Sequence, residues 1–195
     1  MNSKTNSKEK ILLTASKLFQ IKGYNATGLN EILKESGAPK GSLYYYFPNG
    51  KEELALAAIK LSSEAINNRL KITLNEHKNP IEAIQCLIEN IINDLEKGNK
   101  LLDMSISLIA LETYLSSEPL RKACCEAFSS LQNTYTQKLI ESGISKDTAK
   151  ELGKFIQISV EGAITVSVTE NNSSALLTVS NQIGILLNNH LKNNV

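Results

Sequence analysis

Helix-stopping residues arrive so quickly in the first fifty positions that only short helices fit between them. Gly23, Gly37, Pro39 and Pro48 divide the stretch, because glycine closes a helix at its C′ position, while proline can open a helix and disfavours helical backbone just before it. Ahead of Gly23, Ile11, Ala15, Leu18 and Phe19 fall on one helical face, and Asn6, three residues before Glu9, predicts a capping-box-like start. Thr27 is positioned as the next N-cap; Leu29, Ile32 and Leu33 form a short apolar stripe that Gly37 stops. Pro39 opens a third piece that Pro48 ends about two turns later. A short helix, a glycine-containing turn and a second short helix outline a helix-turn-helix, whose second helix enters the major groove of DNA.

The third piece reads Lys40-Gly41-Ser42-Leu43-Tyr44-Tyr45-Tyr46-Phe47. Only Leu43 and Phe47 look like core anchors, since three successive tyrosines cannot all face inward on a helix. Lys40, Ser42 and the tyrosines are left to project, with hydroxyls for phosphate oxygens and rings for thymine methyl or sugar contacts. Gly41 removes a side chain that would hold the helix away from DNA. A generic three-helix packing unit shares the outline, and the exposed composition of this helix is what argues against it. Net charge is only +1, but nine lysines against five glutamates through residue 60 give that part +4 and leave −3 for the rest. A basic head on a mildly acidic body is compatible with a local nucleic-acid footprint, although solvated helix faces produce similar asymmetry.

Tryptophan is absent and aromatic residues make up 5% of the chain, so Leu, Ile and Ala must fill the core, which suits interlocking helices more than sheets. An all-α protein of about nine helices is expected. After the head, one helix is predicted from Lys51 to about His77; following Asn79-Pro80, another carries Ile81 through Leu95 and ends before Gly98. A short segment from Met104 to Tyr114 precedes a helix that starts at Ser117-Glu118-Pro119 and runs to about Ser142. Ser145 is expected to cap the next, with Leu152, Phe155, Ile156, Val160, Ala163 and Ile164 on one side. Ser173 or Ser174 is expected to cap the last, through Leu177, Val179, Ile183, Leu186, Leu187 and Leu191. Apolar or small residues occupy nearly the whole circumference of these two helices, and a helix apolar all round needs burial on both sides. A second copy of the same helices would supply it in an isologous four-helix interface. The candidate interface residues are Ile158, Gly162, Thr165, Val168, Ile183 and Leu187, the alternative being helices wholly internal to a monomer.

The stretch from Lys10 to Leu54 resembles the N-terminal domain of TetR-family transcriptional regulators. The matching residues are Ala15, Leu18, Phe19, Gly23, Tyr24, Ala26 and Thr27, then Ile32 and Gly37, then Lys40 through Phe47, then Lys51-Glu52-Glu53-Leu54. Pro39 stands where the family usually has a Ser or Thr cap, and Phe47-Pro48-Asn49-Gly50-Lys51 is one residue longer than the usual link. With Thr27-Gly28-Leu29-Asn30, these departures resemble the LmrA/YxaF-like branch. Tyr46 occupies the place of a common His. The resemblance implies a helix-turn-helix DNA-binding domain over 6–60 and a helical ligand-binding and dimerisation domain over 61–195. It implies groove-facing roles for Lys40, Gly41, Ser42 and Tyr44, and phosphate contacts for Thr27, Gly28, Tyr45, Tyr46 and Lys51. Independently, Thr27, Gly28 and Lys51 are expected at helix N-termini, where free amides and the helix dipole favour an anion. The implied function is a homodimeric repressor released from a pseudo-palindromic operator by a small-molecule inducer.

Polar or adaptable groups embedded in apolar helices are the candidate inducer contacts: Met104, Tyr114, Phe128, Tyr135, Gln157 and Glu161. Ordinary packing competes as an explanation for each. Cys86, Cys124 and Cys125 are an odd set with two adjacent members, a poor basis for a disulfide framework, so reduced thiols are expected. His77 and His190 have no partner at metal-ligand or catalytic-triad spacing, and Gly50-Lys51 lacks the rest of a phosphate loop, so no metal, cofactor or enzymatic chemistry is expected. Without roughly 18 consecutive apolar residues or a secretory leader, a cytoplasmic protein with no membrane association is expected. The rival function is a helical small-molecule-binding or thiol redox-sensing protein without specific DNA binding.

Overall fold

The structure, a computed structural model, describes residues 2–98 and 105–192. Among the described residues it contains nine helices and no strand. They are α1 (Asn2–Ala26), α2 (Leu29–Ser36), α3 (Lys40–Tyr46), α4 (Lys51–Glu76), α5 (Pro80–Gly98), α6 (Ile106–Thr113), α7 (Glu118–Glu141), α8 (Lys146–Glu170) and α9 (Ser174–Lys192). These helices gather into two compact units, one of residues 1–65 and 103–127 and the other of 66–102 and 128–195. Beside the head, the first unit thus holds α6 and the first part of α7, a grouping that a single cut near residue 60 does not capture.

In the first unit α1 packs against α2, α3 and α6. Ile11, Ala15, Phe19, Ile32, Leu43 and Leu54 are fully buried, which is what the one-faced spacing of α1 and the i,i+4 pair Leu43 and Phe47 require. Helix α1 continues back through Asn6, so Asn6 is not its cap. At Gly23 the backbone takes φ 80 and ψ 172, interrupting the helix as the glycine signal predicts. Gly37 ends α2 in the left-handed conformation, φ 63. The cap of α2 is Gly28, which offers no side-chain bond, rather than Thr27. Ser117 caps α7 by accepting the Leu120 amide at 3.2 Å, and its hydroxyl donates to Glu52 at 2.8 Å.

In the second unit α9 packs against α5 and α8. Ile84, Ile88, Leu139, Ile156, Leu176, Ile183 and Leu187 form its interior. Ser145 caps α8, accepting the Thr148 amide at 3.4 Å. At the start of α9 the Asn172 carboxamide oxygen accepts from the Ser174 amide at 2.9 Å, while the Ser173 hydroxyl turns to Glu96 at 3.3 Å. Gly153 permits a close approach of α8 to α7: a Cβ there would lie 2.9 Å from the Gln132 carbonyl oxygen and the Thr136 amide nitrogen. Two expectations about facing are corrected. Phe155 is 47% exposed, not part of the inward stripe of α8, and Leu177 is 53% exposed while its neighbour Leu176 is buried.

Candidate nucleic-acid interface and ligand cavity

Helix α3 is pinned by Leu43 and Phe47, 0% and 2% exposed, and Lys40, Gly41, Tyr44 and Tyr45 turn outward. Lys40 and Gly41 are exposed, Ser42 is half-buried, and Tyr44 and Tyr45 are 47% and 73% exposed. Tyr46 is half-buried and meets Tyr45 edge-on, ring centroids 4.9 Å apart at 81°. A Cβ at Gly41 would meet nothing of the chain within 4 Å, so internal packing does not demand this glycine. Gly28, at the start of α2, is also exposed and uncrowded. The result is a seven-residue helix that presents one ammonium, a run of hydroxyls and two aromatic faces to its surroundings.

Two residues tied to phosphate by resemblance are engaged within the chain. Thr27 is 1% exposed; its hydroxyl donates to the Gly23 carbonyl at 2.7 Å and its amide to the Tyr24 carbonyl at 3.3 Å. Its side chain therefore closes the α1–α2 turn and cannot reach an external anion. Lys51, at the start of α4, lays its ammonium 4.4 Å from the centroid of the Tyr24 ring and donates to the Asn25 carbonyl at 3.3 Å. Desolvation there lowers the lysine pKa, partly opposed by the Glu112 carboxylate. Glu112 is a residue the sequence reading missed. From α6 its carboxylate accepts the amides of Tyr24 and Asn25, the latter at 3.3 Å, against the turn at Gly23.

The second unit contains a cavity of about 420 Å³ between α4, α5, α7 and α8. Ile66, Leu70, Leu131, Val160 and Ile164 supply apolar wall, with Thr73, Tyr135, Gln157 and Glu161 among its polar groups. Gln157 is held by the Gln132 carboxamide, which donates to its side-chain oxygen at 3.2 Å. Burial, and then the Glu161 carboxylate, push the Tyr135 phenol above its ordinary range, which keeps it a neutral donor. Arg69, Asp94 and Lys97 also line this space. The sequence reading missed them because each looks like a solvated charge on an amphipathic helix, yet they balance the charge that Glu161 alone would set.

Of the other candidate inducer contacts, Tyr114 belongs to the first unit and is 54% exposed, so it does not line the cavity. Phe128 is half-buried in α7 outside the lining, and Met104 lies outside the described residues.

Residues 80–182 match the family described as "Transcriptional regulator LmrA/YxaF-like, C-terminal domain", and residues 11–58 match "Bacterial regulatory proteins, tetR family". The HTH-type regulator YxaF of Bacillus subtilis is 43% identical over 187 residues, covering 96% of this chain and 98% of that protein. The chain belongs to the TetR family of transcriptional regulators. The B. subtilis regulator LmrA is 42% identical over 182 residues, 93% of this chain and 97% of its own. IcaR of Staphylococcus aureus, named as a negative transcriptional regulator of a biofilm operon, is 29% identical over 148 residues, covering 76% of this chain and 68% of IcaR. In fold, a TetR-family regulator from Cytophaga hutchinsonii superposes with a TM-score of 0.82 over 97% of both chains at 20% identity. This TetR-family chain is a regulator and not an enzyme, and no helix among its described residues is long and apolar enough to cross a membrane.

Within this TetR-family chain the outer face of α8 carries Phe155, Ile158, Gly162, Thr165, Val166 and Val168, all exposed. Leu177 and Ile185 are the large apolar residues exposed on α9. Ile183 and Leu187, expected at an interface between copies, are instead 1% and 0% exposed in the interior. Both faces of α9 are apolar, so its periodicity does not distinguish the inward one from the outward one. Among the cysteines, Cys124 is buried, Cys86 half-buried and Cys125 exposed. Burial, with a smaller contribution from Cys125, raises the Cys124 thiol to about 11, the reverse of what a reactive thiol needs. His77 departs from its expected isolation, because α5 brings Cys86 up to it beside Glu76.

Proposed function

We propose that this TetR-family regulator is a homodimeric repressor that binds a pseudo-palindromic operator, one head per half-site, and leaves it when a small inducer occupies the cavity of the second unit. The observation that carries the reading is α3, with Leu43 and Phe47 buried and Lys40, Gly41, Tyr44 and Tyr45 turned outward. Two such heads read half-sites one helical turn apart, about 34–36 Å. Lys40, Ser42 and Tyr44 meet base edges or phosphates at the groove, while Tyr45 and the α2 start at Gly28 position the helix on the backbone. The named negative regulator IcaR supports repression rather than activation.

The exposed apolar faces of α8 and α9 support a dimer through Ile158, Gly162, Thr165 and Val168, joined by Leu177 and Ile185. The cavity, at about 420 Å³, lies low in the usual range of about 300–1,000 Å³ and suits a compact ligand. Its balanced charges favour a neutral or zwitterionic molecule that accepts from Tyr135. Helix α4 carries Leu54 in the core of the head and lines the cavity with Ile66, Leu70 and Thr73, so it is the element that an inducer would displace. A coupling of about 1–3 kcal/mol per ligand, roughly 5- to 150-fold in affinity, is sufficient for such a switch.

Fluorescence anisotropy with labelled DNA flanking the protein's own gene tests the reading. Wild type is expected to bind specifically, and Lys40→Ala to bind about 1–3 kcal/mol more weakly if it reads a base, or evenly weaker across sequences if it meets only phosphate. Absence of specific binding, or equal binding by Lys40→Ala at every salt concentration, overturns it.

A further inference from the structure

We infer that the turn joining α4 to α5 is a binding site for a zinc-like divalent transition cation, with His77, Cys86 and Glu76 as ligands and Glu82 as the fourth. One donor atom from each of Glu76, His77 and Cys86 lies within 4.8 Å of the other two. Glu82, one helical turn before Cys86 on α5, places a carboxylate oxygen 4.0 Å from His77 Nδ1. Zinc bonds of about 2.0–2.1 Å to nitrogen and about 2.3 Å to sulfur require donors roughly 3.3–3.6 Å apart in a tetrahedron. Glu76 and Glu82 are exposed, so their carboxylates can swing toward that spacing around the half-buried His77 and Cys86.

The donor set names the cation class. Imidazole and thiolate together select borderline and soft metals of the zinc, cobalt, nickel and copper group, and carboxylates complete a tetrahedral site, whereas magnesium and calcium take oxygen only. The backbone is already fixed around these donors. The Lys138 ammonium, in a residue only 8% exposed, donates to the His77 carbonyl, and the Asn79 side chain accepts the Ile81 amide at 2.9 Å to start α5. Asn90, one turn beyond Cys86, approaches its sulfur at 3.9 Å. On binding, the Cys86 S–H bond gives way to a metal–sulfur bond and its proton passes to solvent, with no change of oxidation state.

The site is tested on the full-length protein, stripped with chelator and kept reduced, by titration with Co2+ alone. One Co2+ per chain is expected, with a thiolate-to-cobalt charge-transfer band and the strong visible absorption of tetrahedral cobalt, both displaced by one equivalent of Zn2+. Cys86→Ser abolishes the charge-transfer band, His77→Ala weakens binding at least tenfold, and Cys124→Ser with Cys125→Ser leaves the titration unchanged. Circular dichroism checks that each variant is folded; should Cys86→Ser not fold, His77→Ala, at a partly exposed turn, decides. A band that survives Cys86→Ser, no stoichiometric band in the wild type, or binding indifferent to His77→Ala overturns the assignment.

Discussion

Replacing Gly23 by alanine is expected to cost about 3 kcal/mol of stability, and the cost has two separable parts. The first is backbone: φ 80 with ψ 172 lies in a region nearly confined to glycine, and a side chain there costs about 1–3 kcal/mol. The second is the carboxylate of Glu112. A Cβ on residue 23 would stand 2.9 Å from Glu112 Cδ, so the flexible side chain must swing away and release the amides of Tyr24 and Asn25. Hydrogen bonds to a charged group contribute about 1.5–3 kcal/mol, and partial exposure here favours the low end. Glu112→Ala should therefore cost about 1.5 kcal/mol alone, and Gly23→Ala in that background only its backbone share, because the clamp is already gone. Urea unfolding followed by far-ultraviolet circular dichroism, with the fluorescence of the six tyrosines as a second probe in a chain without tryptophan, measures all four proteins. A double variant that loses the full sum of the two singles, or a Gly23→Ala protein within about 0.5 kcal/mol of wild type, refutes the clamp.

In the proposed dimer Ile158→Glu would bury an unpaired charge on the outer face of α8 of each copy, at a cost of about 3–5 kcal/mol; light scattering should show a monomer with weakened operator binding, and an unchanged dimer mass would sink the interface. Gly153→Ala drives a methyl group against the Gln132 and Thr136 backbone and should lower stability by about 1–3 kcal/mol, read as a shifted urea midpoint, with no shift as the contrary result. The Cys124 thiol keeps its proton to about 11 when folded, while an unfolded thiol releases it near 9. The stability that the neutral thiol contributes is thus complete below pH 9 and falls as pH rises from about 9 through 11. Comparing wild type with Cys124→Ala across that range isolates it, and identical pH slopes would refute it. A thiol reagent at pH 8 should modify Cys125 first and Cys124 only on unfolding.

The head was legible because its signals are local. Gly23 and Gly37 have positive φ where the chain stops being helical, and Leu43 and Phe47 are buried as their spacing demands. Thr27 shows the limit of the same reasoning. As a hydroxyl at a turn it looks like a cap and an anion contact, but one hydrogen bond to Gly23 turns it inward, and nothing in the residue order distinguishes the two rotamers. Lys51 adds a contact of the same non-local kind: its position at a helix start is local, whereas its attraction to the Tyr24 ring depends on how α1 and α4 pack.

Beyond the head, what sequence could not supply was the choice between equivalent faces. A helix apolar on one side announces its interior, but α9 is apolar on two, so Ile183 and Leu187 could be exchanged for Leu177 and Ile185 without violating any periodicity. The neighbours on α5 and α8 make the choice, through contacts distant in the chain. The same non-locality hid the donors around His77. Glu76 is adjacent and Glu82 five residues on, spacings that occur by chance on any charged turn. Only the reversal at Asn79-Pro80, locked by Lys138 from α7, folds α5 back so that Cys86 faces the imidazole. If that reversal rather than the residue types creates the site, then Lys138→Met, which removes the lock and keeps all four donors, should weaken Co2+ binding by roughly 10- to 100-fold, the effect of losing an outer-shell partner. Unchanged affinity would mean that the donors find one another without it.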